Sequence, residues 1–499
     1  MPVRSKRRTT RHLPAEILLL IFSHFIPHDI DPVGLAKKRD GPLTLAALAR
    51  CSKWFYRIAT PILYSTIYVH RTSSCDALIR TFSRQLDLRR LTHSLTVIFS
   101  DFGKYPAHYP NIAKKVIRDP ARKFNLPPRL RQRIISKRKY YSLDSQVAFL
   151  LSFLPNLKEL LLVLPSVLKG VVDILEYITR NRNTSSEPHE PVIAPDEESS
   201  IIQLLPRGHF AKLQTVRICS YGIVPPDQYR NLGERLVSAI LRLPQITTFS
   251  LKRVGILSSQ LKLDNIPKTL GLQHLELDSN RKDGQVLVDL LSQCLRLRSF
   301  KLIIHYDGPY GWRDPVPLGA VGNILRRNLT DSLETLTIKI FSSFYSGIIG
   351  PLRGLKKLRT LWIPLELVVG SVDSWDLNQC LPDSLEFIYF GVADTKTDNG
   401  RLGRLGHLHN EVVRIILMET RPNLRRVRVD PVCSAWKTHG PVDYARNIER
   451  PGWNVAWMES KLGLGNLVDP WPEMLEVADA HRRESAFTER RFLLKHGYI

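Results

Sequence analysis

Cysteine is scarce in this chain, and its placement removes two classes of protein. Cys51, Cys75, Cys219, Cys294, Cys380 and Cys433 are scattered through 499 residues with no C-x-x-C pair. A disulfide framework or a zinc module needs closer grouping, so free thiols in a reducing compartment are expected. Long apolar runs are missing too. None reaches the roughly 18 residues of a membrane span. Arg4, Lys6, Arg7, Arg8 and Arg11 ahead of Ile17–Phe22 have the outline of a signal peptide. Glu16 before that run, His24 in its continuation and the lack of a small-residue cleavage site argue against secretion. Acidic residues are also short: 47 Asp and Glu face 72 Lys and Arg, a net charge of +25. Such a chain is drawn to polyanions, whether nucleic acid, an acidic protein surface or an anionic membrane.

Catalytic signatures are absent as well. There is no G-x-x-x-x-G-K-[ST] phosphate loop, no H-E-x-x-H and no G-x-S-x-G elbow. Gly400, Gly403 and Gly406 lack the dinucleotide spacing and read as a flexible connection. His407 and His409 have no nearby Cys or Asp to complete a metal site. No enzyme activity, cofactor or metal is expected.

What is present is a soluble balance, 43% hydrophobic and 24% charged. The length implies several domains or one repeat array. The segment Leu13–Phe25 reads as a helix, with Pro14 suited to its first turn and Glu16 complementing its dipole. Pro27 and Asp29 mark its stop. Ile17, Ile21 and Phe25 form one row, Leu18 and Phe22 the next, and Leu19 and Leu20 fill much of the rest. A helix apolar nearly all round must be covered on more than one side. A second helix after Gly41 and Pro42 carries Leu45, Leu48, Cys51 or Ser52, and Phe55 at helical spacing, widened by Trp54, Tyr56 and Ile58. In the run Pro61–Val69 the last four residues read as a strand.

L-P-x-E-I-L-x-x-I-F-x-x-F, then L-x-x-L-x-x-C-x-x-W/F, then P-x-L-Y-x-x-I resembles the F-box pattern in order and spacing. The loop from Pro27 to Pro42 is longer than in compact F-boxes, and Phe25 stands where leucine is usual. The resemblance implies docking onto the Skp adaptor of a cullin-RING ubiquitin ligase. By position, Leu13, Pro14, Ile17, Leu20 and Ile21 would face the adaptor, with contributions from Leu48, Cys51 and Trp54. The residues' own alternative role is the core of a small helical domain.

From about residue 150 the phrase L-x-x-L-x-L recurs. It runs through Leu157-Leu160-Leu162, Leu213-Val216-Ile218, Ile246-Phe249-Leu251, Leu272-Leu275-Leu277 and Leu297-Phe300-Leu302. It continues through Leu333-Leu336-Ile338, Leu358-Leu361-Ile363, Leu385-Ile388-Phe390 and Leu424-Val427-Val429. The better intervals, at Ile246, Leu272 and Leu297 and at Leu333, Leu358 and Leu385, are 25 to 27 residues. Helical patterns lie between the phrases, with Pro155, Pro244 and Pro422 before the next strand. The periodicity is similar to that of leucine-rich repeats. The expected fold is therefore α/β: a small N-terminal helical F-box, then an irregular leucine-rich-repeat solenoid with a concave parallel sheet. The irregular register and the fused N-terminal module are similar in style to fungal F-box proteins with C-terminal leucine-rich repeats.

The expected organisation is a basic tail over 1–12, the F-box over 13–70, repeats over 71–430 and a C-terminal cap or tail over 431–499. Trp453, Trp457 and Trp471 suggest ordered packing in the last of these. The repeats hold a basic insertion at about 101–142, from Lys114 and Lys115 to Arg138 and Lys139. They also hold a Ser/Glu/Pro-rich loop at about 181–200. The insertion fits a solvated segment, an import signal or a polyanion contact. Residues between the strand leucines face the concave surface. Its late strands offer Trp362, Phe387, Tyr389, Arg426 and Arg428, residue types that anchor interfaces, so a target is expected there. Packing of Trp362 and Phe387 under the C-terminal segment is the alternative. The resemblance thus implies the substrate-recognition adaptor of an SCF-type ligase in cytoplasm or nucleus, with a Skp adaptor and an unknown target protein as partners and no membrane. The rival is a basic nuclear scaffold that binds nucleic acid.

Overall fold

The computed structural model describes residues 14–25, 40–98, 143–164, 169–183, 210–220, 230–252, 270–279, 284–304, 316–340, 345–364, 366–369, 377–391, 421–429, 442–446 and 453–457. The basic tail (1–12), the basic insertion (101–142), Leu13, Cys433, Trp471, His407 and His409 lie outside the described residues.

The N-terminal part is helical: α1 (Ala15–Ser23), α2 (Asp40–Cys51) and α3 (Lys53–Ser65). Pro14 caps α1 with extended backbone, where its missing N–H is not needed. The second helix expected from the Leu45–Phe55 stripe is in fact two helices. Ser52 is extended, at φ −158° and ψ 159°, and its hydroxyl accepts from the Phe55 N–H at 3.1 Å, so a new helix starts there. A common stripe survives the break because Leu45, Ile58 and Ala59 all turn into one small core with Leu18 and Phe22.

The strands are β1 (Thr66–Val69), β2 (Ser94–Ile98), β3 (Glu159–Leu164), β4 (Thr215–Ser220), β5 (Thr248–Lys252), β6 (His274–Ser279), β7 (Ser299–Ile304), β8 (Val316–Pro317), β9 (Thr335–Ile340), β10 (Tyr345–Ser346), β11 (Thr360–Pro364), β12 (Phe387–Gly391), β13 (Arg426–Val429), β14 (Val442–Arg446) and β15 (Trp453–Trp457). Thirteen form one sheet in chain order; β8 and β10 pair separately. From β1 to β13 every neighbouring pair in the large sheet is parallel, giving 11 parallel strands. The β14–β15 hairpin closes on β13 in antiparallel pairing, which supplies the partner for that edge. Each of the nine L-x-x-L-x-L phrases lies on one of these parallel strands. The strand at Thr66–Val69, placed with the N-terminal module by sequence, is the first strand of this sheet. β2 was not legible as a member.

Helices α4 (Thr72–Arg84), α5 (Leu86–Leu91), α6 (Leu143–Ser152), α7 (Lys169–Asn183), α8 (Arg230–Leu241), α9 (Gly284–Ser292), α10 (Leu318–Asn328), α11 (Glu366–Val369) and α12 (Leu377–Cys380) connect the strands. The leucines of each phrase and the apolar faces of these helices make one continuous core, including Phe149, Leu160, Val171, Val216, Ile240, Phe249, Leu287 and Phe300. Polar contacts tie neighbouring helices together. Asp144 accepts from the Gly170 and Val171 N–H groups at 2.7 and 3.0 Å, capping the start of α7. Arg235 on α8 grips both carboxylate oxygens of Glu176 on α7 at 2.7 Å and reaches Asp173 at 3.0 Å.

The turns into the parallel strands of the large sheet from β3 to β13 repeat one device. The carbonyl of His93 accepts from both the Lys158 and Glu159 N–H groups. Lys158, Gln214, Thr247, Gln273, Arg298, Glu334, Arg359 and Glu386 do the same for the next strand along. This double acceptor sits beside the buried first leucine of each phrase, and it fixes register before the strand begins.

Candidate functional site

The helical module leaves one apolar face uncovered. α1 turns Leu18 and Phe22 inward, and Phe22 meets Phe55 with ring centres 6.2 Å apart. Its other side stays in solvent: Ile17 is 45% exposed, Leu20 64% and Ile21 42%, with Leu19 beside them. Of the positions expected to face an adaptor, Pro14, Ile17, Leu20, Ile21 and Cys51 are exposed. The Cys51 thiol donates to the Ala47 carbonyl. Leu48 and Trp54 instead pack against the module's own core, Trp54 stacking at a tilt on Phe55. Sequence reasoning missed Leu43 and gave Tyr56 only to the apolar stripe; both are exposed. The surplus of apolar residues on this short stretch was the available signal.

The second candidate is the sheet face opposite the helices. Its outward residues fall into rows across the strands. A central row runs Leu161, Arg217, Ser250, Glu276, Lys301, Thr337, Trp362, Tyr389 and Arg428. In its middle, Glu276 receives Lys301 at 2.8 Å, Lys252 at 3.5 Å and the Ser250 hydroxyl at 2.7 Å. Burial works to raise the Glu276 carboxyl, but Lys252 and Lys301 with those hydrogen bonds outweigh it and hold it below its ordinary value.

At the late strands, Trp362 stacks on Tyr389 with centres 5.1 Å apart and planes 14° from parallel. Lys339 lies 4.6 Å from the Trp362 ring, and Arg428 lies 5.4 Å from the Tyr389 ring. This ladder is internal: Trp362 is 6% exposed, Tyr389 9% and Arg428 5%. The expectation that these three present themselves to a target therefore does not hold for their side chains. Among the five expected there, Phe387 and Arg426 are the half-exposed ones.

Accessibility on this face is graded along the strands. Toward the strands' C-terminal ends, Val163, Cys219, Asp278, Ile303 and Lys339 are buried, and Lys252 between them is half-exposed. At their N-terminal ends the first outward residues are half-exposed or exposed. That first row is rich in hydroxyls: Thr66, Ser94, Thr215, Thr248, Ser299, Thr335 and Thr360, interrupted by Glu159 and His274. Alternation along the strands puts Thr215, Thr248 and Ser299 on the outward face. Their alignment into one row does not follow from alternation, because it depends on strand register.

Among the described residues, no group of three His, Cys, Asp or Glu side chains is placed to hold a metal. No described helix is long and apolar enough to cross a membrane. No curated protein matches this chain. A family model described as F-box-like matches residues 10–70, which span α1, α2, α3 and β1. The helical module with the uncovered α1 face is an F-box-like domain.

Proposed function

We propose that this chain is the substrate-recognition adaptor of an SCF-type cullin-RING ubiquitin ligase. Its F-box docks the Skp adaptor, and the parallel sheet, read as irregular leucine-rich repeats of the fungal F-box kind, holds a target protein. The observation that carries the reading is the face of α1. Ile17, Leu19, Leu20 and Ile21 are 42–64% exposed on a matched F-box-like domain. Covering the half of each side chain still in water is worth about 1 kcal/mol apiece. Four such residues on one short helix are costly on a surface that meets only water.

The chain does no bond-making of its own in this scheme. It holds a target at one end and the ligase core at the other, so ubiquitin transfer becomes effectively intramolecular and the local concentration of target lysines rises. Phe387 and Arg426 are the accessible members of the late target surface. Trp362, Tyr389 and Arg428 support them from beneath.

The test is a pull-down of the full chain with a Skp adaptor, beside an Ile17→Asp, Ile21→Asp double variant. Binding by the wild type that the double variant loses, with unchanged circular dichroism, supports the reading. No binding by the folded wild type overturns it. The net charge of +25 favours a second reading, a nucleic-acid-binding scaffold. It predicts salt-sensitive capture of nucleic acid at physiological ionic strength by the same preparation.

A further inference from the structure

We propose that the N-terminal edge of the sheet, where the hydroxyl row meets the turns entering β2 to β5, binds an extended acidic segment of a partner protein. The proposal rests on the reading of the sheet as a target-holding surface and names where on it the target lies and what chemistry it carries.

Three observations converge on this edge. The first is accessibility, since Val163, Cys219, Asp278, Ile303 and Lys339 are buried at the opposite end of the open face, and Lys252, half-exposed between them, is already paired with Glu276. The second is charge. Arg90, Lys158 and Lys212 are exposed at the turns into β2, β3 and β4, and Arg242 is half-exposed ahead of β5. They are held side by side: Lys212 Nζ donates to the Asn156 side-chain Oδ1 at 2.9 Å, and Asn156 Nδ2 donates to the Arg90 backbone carbonyl at 2.7 Å. His93 sits among them, and partial burial together with the charges of Lys158 and Lys212 holds its imidazole below the ordinary value. Asp87 is the one carboxylate in these four turns, and Glu159 is the nearest on the adjoining row. The later turns differ, because carboxylates alternate with bases there. Asp331 pairs with Lys356 at 3.4 Å, and Glu386 pairs with both Arg359 and Arg425 at 3.6 Å. Among the described residues, the buried Arg242 Nε has no hydrogen-bond acceptor. The third observation is the hydroxyls. Thr215 and Thr248, half-exposed beside these turns, make no side-chain hydrogen bond among the described residues.

Geometry selects an extended peptide. Adjacent strands lie about 4.8 Å apart, so the four turns span roughly 15 Å, which about five extended residues cover at roughly 3.3 Å each. Carboxylates suit the site because lysine, arginine and hydroxyl donors all satisfy them. Nucleic acid fits less well, because single strands are held by stacking on aromatic side chains. Among the described residues, this stretch of the edge exposes none beyond the His93 imidazole, because Phe210 is fully buried.

The experiment uses the full chain and a fluorescent peptide of eight glutamates, read by anisotropy in 50 and 200 mM salt. A Lys158→Glu, Lys212→Glu variant is expected to bind at least tenfold more weakly, and the salt dependence should shrink with it. A Thr215→Val, Thr248→Val variant, which keeps every charge and a β-branched shape, is expected to lose about threefold. Unchanged affinity in both variants overturns the proposal and assigns any binding to the other basic stretches of the chain. Tighter binding of a single-stranded oligonucleotide of equal charge also overturns it. If the charge-reversed chain fails to fold by circular dichroism, Lys158→Ala, Lys212→Ala is used, with the same expected direction. Skp adaptor capture is measured in parallel. Its loss in wild type refutes the ligase reading and leaves the peptide result standing.

Discussion

Helices α1 and α9 are both nine residues long and mostly apolar, yet they treat water in opposite ways. α9 buries Val286, Leu287, Leu290 and Leu291. α1 buries Leu18 and Phe22 and leaves four large apolar residues in solvent. The difference is one of neighbours. α9 lies on a sheet and contributes to a core that runs through every strand of the large sheet from β1 to β13. α1 rests on a core of five buried residues, which can cover only one of its sides. Apolar content therefore reports how much covering a helix requires, and the count of neighbours inside the chain reports how much remains for a partner.

The largest effects should separate these two helices. Leu287→Ala is expected to cost 2–5 kcal/mol in denaturant unfolding, because the vacated volume lies deep in the continuous core. Leu20→Ala should stay within about 0.5 kcal/mol on the same measurement and act on adaptor capture alone. Equal losses from the two would break the comparison.

Two glycines sharpen it next. A Cβ at Gly322 on α10 would strike the Ile349 carbonyl, and one at Gly41 on α2 would strike the Phe25 carbonyl. Gly322→Ala should cost about 1–3 kcal/mol of the sheet's stability. Gly41→Ala should push α2 from α1 and weaken adaptor capture while the main unfolding transition stays in place.

A smaller, pH-dependent effect belongs to the sheet side. Asp76 is buried on α4 and accepts from Gln146 on α6 at 2.7 Å. Burial pushes its carboxyl up to about 6, with Arg80 opposing. The folded value lies above the unfolded one, so folding binds a proton between about pH 4 and 6, and this group's contribution falls as pH rises through that window. Asp76→Asn should therefore stabilise the chain by about 1 kcal/mol at pH 7 and by little at pH 4. Thermal melts at both values check it. An effect of similar size is confined to the module: Ser52→Ala removes the α3 cap at a cost of about 1 kcal/mol. It should show in protease sensitivity between α2 and α3.

Much of this was legible in the sequence because leucine spacing reports burial directly. All nine phrases fall on strands, and Thr66–Val69 was recognised as a strand. What escaped depended on distant partners. β2, with Leu95 and Val97 inward, is too short a pattern to stand out without the neighbours that pair with it. The break at Ser52 hid inside a helical stripe, since an N-cap between two helices preserves the apolar spacing on either side. The site was less legible than the fold. Ile17, Leu20 and Ile21, singled out by a surplus of apolar residues, are exposed in this chain. Trp362, Tyr389 and Arg428 face outward as alternation dictates, but alternation does not say what lies above a face, and they are buried.

The double acceptor at each turn has a consequence for inheritance. Each strand is indexed by the few residues that precede it, which dock on the carbonyl before the neighbouring strand. The length of chain spent since the previous strand does not enter that alignment: β3 to β4 consumes far more sequence than β6 to β7, and both dock alike. Misalignment therefore does not accumulate, as it would in a zipper counted from one end. A duplication or excision cut at two such turns, for example at Gln273 and Arg298, presents the same carbonyl to the same pair of N–H groups. Such a gene can gain or lose a whole strand-and-helix segment in one recombination event and still specify an aligned sheet.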